Sequence, residues 1–207
     1  MARTRGRITR ACGRSNWAAG RRPAASPRRA PARAAWYDPA MGDSDAVRAA
    51  HDKAFTLYAG VQTPHRSCGI CVAETFGLRT APYQALRRGG LDGRGECGAL
   101  KAGELVLGEL LGDPDPTGPV TPELRTAMQR YGAHWRTRLA GVVGESHICN
   151  DLTAPQGDFQ GEARRSLCTR LAAEAAAAVA QTLEEAGLPS PVTPFAPERS
   201  PEPGPGG

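Results

Sequence analysis

Residues 44–187 are patterned as a succession of helices and carry almost no signal for β-strands. Apolar residues recur at intervals of three and four, which matches the turn of an α-helix, and glycine or proline closes each segment. Short connections between such segments favour antiparallel packing. The sequence therefore predicts an all-α fold, a compact bundle of about five or six helices.

Capping residues indicate where the predicted helices begin and end. Ser44 can cap the first helix, Thr121 with Pro122 opens a later one, and Gly187 closes the last. The first predicted helix follows Ser44 and has apolar positions from Val47 to Leu57, and the helix that opens at Thr121 has apolar positions from Leu124 to Leu139. The other predicted helices cover residues 68–77, 80–89, 97–111 and 162–186.

Both ends of the chain differ in composition from the middle. Residues 1–40 carry ten arginines and one acidic residue, and residues 188–207 contain seven prolines. Neither segment has the apolar pattern needed to build a core. We expect an Arg-rich disordered tail over residues 1–43, a helical cysteine-containing domain over 44–187 and a Pro-rich disordered tail over 188–207.

The net charge of +5 comes from the first tail, because residues 41–187 hold 15 basic and 18 acidic residues. Three interpretations of residues 1–40 stay open. They are a disordered segment preceding a native start at Met41, an organelle transit peptide, or an arm that binds phosphates of nucleic acid. Nucleic-acid binding is not expected of the helical domain itself.

The chain has no apolar run near the ~20 residues that a membrane helix needs, so no membrane association is expected. It also has no apolar segment of a secretory signal after its basic start. We therefore expect a cytoplasmic protein. In that reducing compartment clustered cysteines serve metal or redox chemistry more often than cross-linking.

Five of the six cysteines fall inside the predicted bundle: Cys68, Cys71, Cys97, Cys149 and Cys168. Two of them open predicted helices, where free backbone amides favour thiolate. A third lies at a helical spacing from apolar residues that should face inward. Thiols from three helices are therefore expected to converge. The alternative is that each cysteine is a small hydrophobic core residue.

Two familiar motifs do not apply to this chain. The pair Cys68 and Cys71 has neither the preceding strand of a thioredoxin site nor the following histidine of a c-type haem site. Residues 93–98 (GRGECG) match the dinucleotide pattern but follow a helical segment instead of a strand. Their glycines are better explained by close approach of backbone amides to sulfur. Gly95 and Gly98 are the candidate cofactor-binding positions.

The arrangement of cysteines resembles the C_GCAxxG_C_C family of redox-active proteins over about residues 50–186. The matching segments are residues 68–73 (CGICVA), 93–99 (GRGECGA), 105–108 (LVLG), 149–152 (CNDL) and 168–172 (CTRLA). The resemblance implies an α-helical, redox-active protein with four family cysteines: Cys68, Cys97, Cys149 and Cys168. Cys71 is then an additional thiol.

Three hypotheses follow for the chemistry. In the first, the four family cysteines hold an iron–sulfur cluster or another thiolate-bound metal for electron transfer to an unidentified redox partner protein. In the second, Cys68 and Cys71 cycle between dithiol and disulfide without metal, and are the catalytic residues. In the third, four cysteines bind a structural zinc in an interaction module. His65 and His147 are further candidate ligands, and whether the protein is an enzyme stays open.

Overall fold

The computed structural model describes residues 42–195 and confirms the all-α fold. This part of the chain contains six α-helices and no β-strand. The helices are α1 (Asp45–Ala59), α2 (Cys68–Thr75), α3 (Gly98–Leu111), α4 (Pro122–Arg138), α5 (Cys149–Thr153) and α6 (Glu162–Glu185). Two 3₁₀ helices cover Pro82–Leu86 and Ala154–Gln156. Residues 1–41 and 196–207, which hold most of the two predicted tails, lie outside the described residues.

The predicted helix caps are confirmed. The Ser44 hydroxyl accepts a hydrogen bond from the amide of Val47 at 3.3 Å, and the Thr121 hydroxyl accepts one from the amide of Leu124 at 3.1 Å. Each satisfies one of the amides that a helix start leaves without a partner. Gly187 follows α6 with φ of 72°, a conformation that glycine adopts without steric cost.

Helix α6 forms the centre of the bundle and packs against α1, α2, α3 and α4. The sequence predicts one inward face for this helix, but its alanines are buried all round, with Ala172, Ala173 and residues 175–178 at 0% exposure. Methyl side chains let neighbouring helices approach from several directions, so a helix apolar on every side becomes the core. This position places Cys168 inside the bundle.

The structure departs from the sequence prediction between the long helices. The segment predicted as a helix over residues 80–89 forms only the short 3₁₀ helix Pro82–Leu86. Helix α5 was not predicted, and neither was an isolated antiparallel bridge between Glu96 and Ile148. Helix α5 has five residues, which are too few to show a helical period. The bridge joins segments 52 positions apart, so it cannot be predicted from a local sequence pattern.

None of the helices in the described range has the length and apolar character required to cross a membrane.

Candidate thiol site

Four cysteines from four separate segments line one cavity of about 360 Å³. We call it the four-cysteine cavity, after Cys68, Cys97, Cys149 and Cys168. All four are free thiols, and all but the partly exposed Cys68 are buried. The other residues of its wall are Tyr58, His65, Ser67, Arg87, Arg88, Gly98, Ala99, Leu152, Thr153, Phe159, Gln160, Arg164 and Leu171.

Three of the four thiols stand where a helix begins. Cys68 is the first residue of α2, Cys97 precedes the first residue of α3, and Cys149 is the first residue of α5. Their side chains are therefore close to amides that have no partner within the helix. The fourth, Cys168, lies in the second turn of α6 and shares an inward face with Leu171 and Ala175. The sequence predicts convergence for the thiols of α2, α3 and α6, whereas Cys149 lies on the unpredicted helix α5.

Main-chain hydrogen bonds connect the segment that carries Cys97 with the segment that carries Cys149. The amide of Cys97 donates to the carbonyl of His147 at 2.8 Å, and the amide of Cys149 donates to the carbonyl of Gly95 at 2.9 Å. Together they form the bridge between Glu96 and Ile148. Two cysteine segments that are 52 positions apart in sequence are thus joined through their backbones.

Glycines allow the backbone to approach two of the sulfur-bearing side chains. A side chain at Gly98 would overlap the carbonyl oxygen of Leu86 and stand 2.9 Å from Sγ of Cys68. One at Gly89 would lie 2.5 Å from Cβ of Cys149. Of the two predicted cofactor-binding glycines, Gly98 lines the cavity, whereas Gly95 does not and contributes its carbonyl to Cys149.

Arg88 has a backbone conformation that only glycine adopts easily. Its φ is 51°, in the left-handed region that costs energy for a residue with a side chain. In this conformation its amide faces Cys68 and lowers the pKa of that thiol, against the larger effect of burial. Strained residues of this kind cluster at functional sites, where the surrounding structure imposes the strain.

Burial raises the pKa of all four thiols above the ordinary value for cysteine, and raises that of Cys97 to about 12. The thiols are therefore protonated at neutral pH in the metal-free protein. Protonated thiols are poor nucleophiles. Binding of a metal cation would reverse this balance, because the cation displaces the protons.

One arginine reaches three of the thiols electrostatically. The positive charge of Arg164 opposes the rise in pKa at Cys68, Cys149 and Cys168. Cys168 also has a hydrogen bond with the hydroxyl of Tyr58, which lowers the pKa of the thiol. The cavity is thus a place where negative charge on sulfur has several compensating partners.

Cys71 does not line the cavity. It is 0% exposed, and its Sγ donates a hydrogen bond to the carbonyl oxygen of Cys68 at 3.0 Å. Burial raises its pKa well above the ordinary value. The two thiols predicted as a dithiol pair therefore have different surroundings. Cys68 faces the cavity, while Cys71 is part of the hydrophobic core.

The two candidate histidine ligands are separated by the fold. His65 lines the four-cysteine cavity, and its Nδ1 contacts the carbonyl oxygen of Tyr58. His147 lies outside it, with Nε2 3.1 Å from a carboxylate oxygen of Glu96. Within residues 42–195, no group of three or more His, Cys, Asp or Glu side chains is arranged so that it could hold a metal ion.

The sequence reasoning missed the arginines at this site. Arg87, Arg88 and Arg164 belong to its wall, and Arg165 lies next to it. In a chain with 24 arginines and 2 lysines, single arginines carry little information. The available signal was two Arg-Arg pairs, at 87–88 and 164–165, each close to a cysteine segment.

Comparisons of the chain with models of protein families, with curated proteins and with solved structures found no match.

Proposed function

We propose that this is a redox protein whose centre is the four-cysteine cavity, and that its four thiols hold an iron–sulfur cluster for electron transfer. The observation that carries the proposal is the convergence of Cys68, Cys97, Cys149 and Cys168 on one cavity. Packing alone does not require four thiols from separate segments to face the same space. Four cysteine thiolates are the usual ligands of such a cluster.

The arrangement favours a cluster over a single ion. A structural zinc needs four ligands in a compact tetrahedron, with sulfur about 2.3 Å from the metal. A cluster distributes its cysteines over several iron atoms, so they stand further apart around a larger space. The donor chemistry and the cavity of about 360 Å³ suit that case better than the zinc alternative.

The remaining wall of the cavity supplies what a negatively charged sulfur centre needs. When bound, a cluster supplies a one-electron carrier. Arg164 provides positive charge close to Cys68, Cys149 and Cys168, and the amide of Arg88 provides a hydrogen bond to Cys68 as well. Such charges and hydrogen bonds set the reduction potential of a thiolate centre.

The other elements of this proposal follow from the same centre. An electron carrier requires a redox partner protein, which we expect to dock near the exposed Arg87 and Arg88. We place the protein in the cytoplasm, where the five free thiols of the described residues would stay reduced. We also propose that it belongs to the C_GCAxxG_C_C family, on the resemblance of its cysteine segments.

A metal-free dithiol at Cys68 and Cys71 is the second candidate. The observation in its favour is that one helical turn separates the two thiols, with Sγ of Cys71 3.0 Å from the carbonyl oxygen of Cys68. Oxidation would join the two sulfurs and pass two electrons and two protons to a partner disulfide, which would become two thiols. The complete burial of Cys71 and its raised pKa disfavour this chemistry.

Reconstitution without oxygen tests the proposal. The full-length protein as purified is assayed for zinc and for free thiols before and after mild oxidation. It is then incubated with ferrous iron and sulfide, desalted, and assayed for iron, sulfide and visible absorption. The variants are Cys68→Ser, Cys97→Ser, Cys149→Ser and Cys168→Ser. The control is Cys71→Ala, which changes a buried cysteine outside the cavity. Circular dichroism establishes that each variant is folded.

We expect the wild-type protein and Cys71→Ala to retain iron and sulfide in equal amounts, and the four serine variants to lose most of both. If folded wild-type protein retains neither, the cluster is excluded. Retention of zinc alone would favour the structural alternative. If two thiols of the wild-type protein disappear on oxidation and return on reduction, and Cys71→Ala does not show this change, the dithiol hypothesis is favoured.

A further inference from the structure

A second cavity of about 330 Å³ adjoins the four-cysteine cavity and contains no cysteine. We call it the arginine chamber. It is lined by Tyr58, Ala59, Gly60, His65, Phe159, Gln160, Gly161, Arg164 and Arg165. Of these, Tyr58, His65, Phe159, Gln160 and Arg164 also line the four-cysteine cavity. The two spaces are therefore continuous, and a small molecule in the chamber would lie beside the thiols.

The chamber is positively charged and has no compensating carboxylate in its wall. Arg164 and Arg165 form no ion pair within residues 42–195. The nearest acidic residues in sequence, Asp158 and Glu162, are exposed and outside the lining. Arginine pairs readily with carboxylate and phosphate groups, because its planar fork of donors matches their oxygens.

Arg164 is held in one position and still has an unused donor. Its guanidinium lies 3.6 Å from the centroid of the Phe159 ring, and its Nη1 donates to the carbonyl oxygen of Phe159 at 3.0 Å. The guanidinium carbon of Arg88 lies 4.8 Å from the centroid of the same ring. The Nε of Arg164 is buried and has no hydrogen-bond partner. A buried donor without a partner is costly.

Two further features add to the attraction for an anion. Helix α6 begins at the chamber, where Gly161 is the capping residue and contributes no side-chain hydrogen bond to the first amides. The positive end of a helix dipole favours anions. In the adjoining cavity the hydroxyl of Ser67 is also buried without a partner.

We infer that the arginine chamber binds the carboxylate or phosphate group of a small molecule and holds that molecule beside the four-cysteine cavity. That this molecule is a substrate or effector of the thiol centre rests on the function proposed above. The binding itself does not, because none of the residues that carry it is a cysteine. The volume of the chamber is that of a small-molecule site.

A pair of alkylating reagents tests the chamber through the thiols next to it. Iodoacetate carries a carboxylate, and iodoacetamide is its neutral analogue. Both form a carbon–sulfur bond and release iodide, so the ratio of their rates does not depend on the fraction of thiolate. The rates at each cysteine of the full-length protein are measured by peptide mass spectrometry, with urea-unfolded protein as reference.

We expect the ratio of iodoacetate to iodoacetamide rates at Cys68 and Cys168 to exceed that of the unfolded protein by about tenfold, since focused positive charge raises local anion concentration. Arg165→Gln should lower this excess measurably, because it removes one of the two arginine charges of the chamber. Arg125→Gln, an exposed position on α4 outside both cavities, should preserve it. An equal ratio in folded and unfolded protein, or equal ratios in the two variants, would overturn the inference.

A second measurement applies if a bound metal protects the thiols from alkylation. Inorganic phosphate and acetate are titrated separately into the protein as purified, and the midpoint of thermal unfolding is followed. A ligand that binds only the folded state raises this midpoint. We expect phosphate, acetate or both to raise it for wild type and Arg125→Gln but not for Arg165→Gln, and the more effective anion identifies the group. No rise with either would contradict the chamber.

The two proposals fail separately. If the cluster proposal is wrong and the chamber is right, the protein retains no iron or sulfide but keeps the raised ratio of iodoacetate to iodoacetamide rates. If the chamber is wrong and the cluster is right, the protein retains iron and sulfide but the ratio of rates equals that of the unfolded protein.

Discussion

The sulfur of Cys68 lies against the backbone of Gly98, and this contact exists only because residue 98 has no side chain. The same sulfur is 3.6 Å from the carbonyl oxygen of Leu86, which a Cβ at position 98 would overlap. Backbone atoms cannot rotate away from such an overlap as the end of a side chain can. The position of the Cys68 thiol therefore depends on glycine at 98.

Gly98→Ala is expected to lower the free energy of unfolding by about 2 kcal/mol, because overpacking forces backbone to move. It should also reduce iron retained after reconstitution. The control is Gly108→Ala in the same helix, where a Cβ meets nothing within 4 Å. That change should raise the free energy of unfolding by about 0.5–1 kcal/mol. Urea denaturation measures both, and equal effects of the two variants would contradict the packing argument.

At the scale of residues, the sequence placed some side chains correctly and was silent on others. The inward position of Cys168 was predictable, because Leu171 and Ala175 repeat on the same helical face. The role of Arg164 was not, because an exposed-looking arginine in the first turn of a helix gives no sign of the cavity beneath it. Its importance comes from contacts that only the tertiary structure creates.

Helices α3 and α4 are joined through one hydroxyl group. The Thr121 hydroxyl accepts a hydrogen bond from the amide of Leu124 at 3.1 Å and donates one to the carbonyl oxygen of Leu111 at 2.7 Å. It therefore caps the start of α4 and satisfies a free carbonyl at the end of α3. The connection between the two helices is held at both ends by a single side chain.

Thr121→Ala is expected to lower the free energy of unfolding by about 1–2 kcal/mol, since it removes a cap and leaves a partner unsatisfied. Thr121→Ser keeps the hydroxyl and should cost only a few tenths of a kcal/mol, because serine caps at least as well as threonine. Chemical denaturation of the three proteins measures the difference. A serine variant as unstable as the alanine variant would show that the methyl group, not the hydroxyl, stabilises the joint.

Elements with a long period and a recognisable cap were predictable, and those formed by distant contacts were not. The starts of α1 and α4 and both ends of α6 follow from their caps and apolar spacing. Helix α5 has neither, and its first residue is positioned by the hydrogen bond from the amide of Cys149 to the carbonyl of Gly95. The candidate site combines cysteines of predicted helices with Cys149 of the unpredicted helix α5. The sequence could therefore identify the cysteines of the site, but not the complete arrangement of the four thiols.

Across the whole molecule, a buried ionic network ties the start of α1 to α4 and α6. The guanidinium of Arg138 binds the carboxylate of Asp43, and its Nη1 lies 3.4 Å from a carboxylate oxygen of Glu174. The side chain of Gln181 accepts a further bond from Arg138 at 3.2 Å. All three charged side chains are at most 6% exposed. Removing one partner of such a network leaves a buried charge uncompensated.

This network predicts a specific dependence of stability on pH. Burial raises the pKa of Glu174 above its ordinary value of 4.5, although Arg138, His51 and Arg170 attract its negative charge. A carboxyl whose pKa is raised by folding stabilises the folded state fully below pH 4.5, and this contribution is lost as the pH rises through the folded pKa.

Glu174→Gln has no titrating group at this position, so its free energy of unfolding should lack that decline, whereas the exposed control Glu184→Gln should retain it. Urea denaturation over a series of pH values gives the three curves. Parallel curves for wild type and Glu174→Gln would mean that the network compensates the charge of Glu174 as fully as water does.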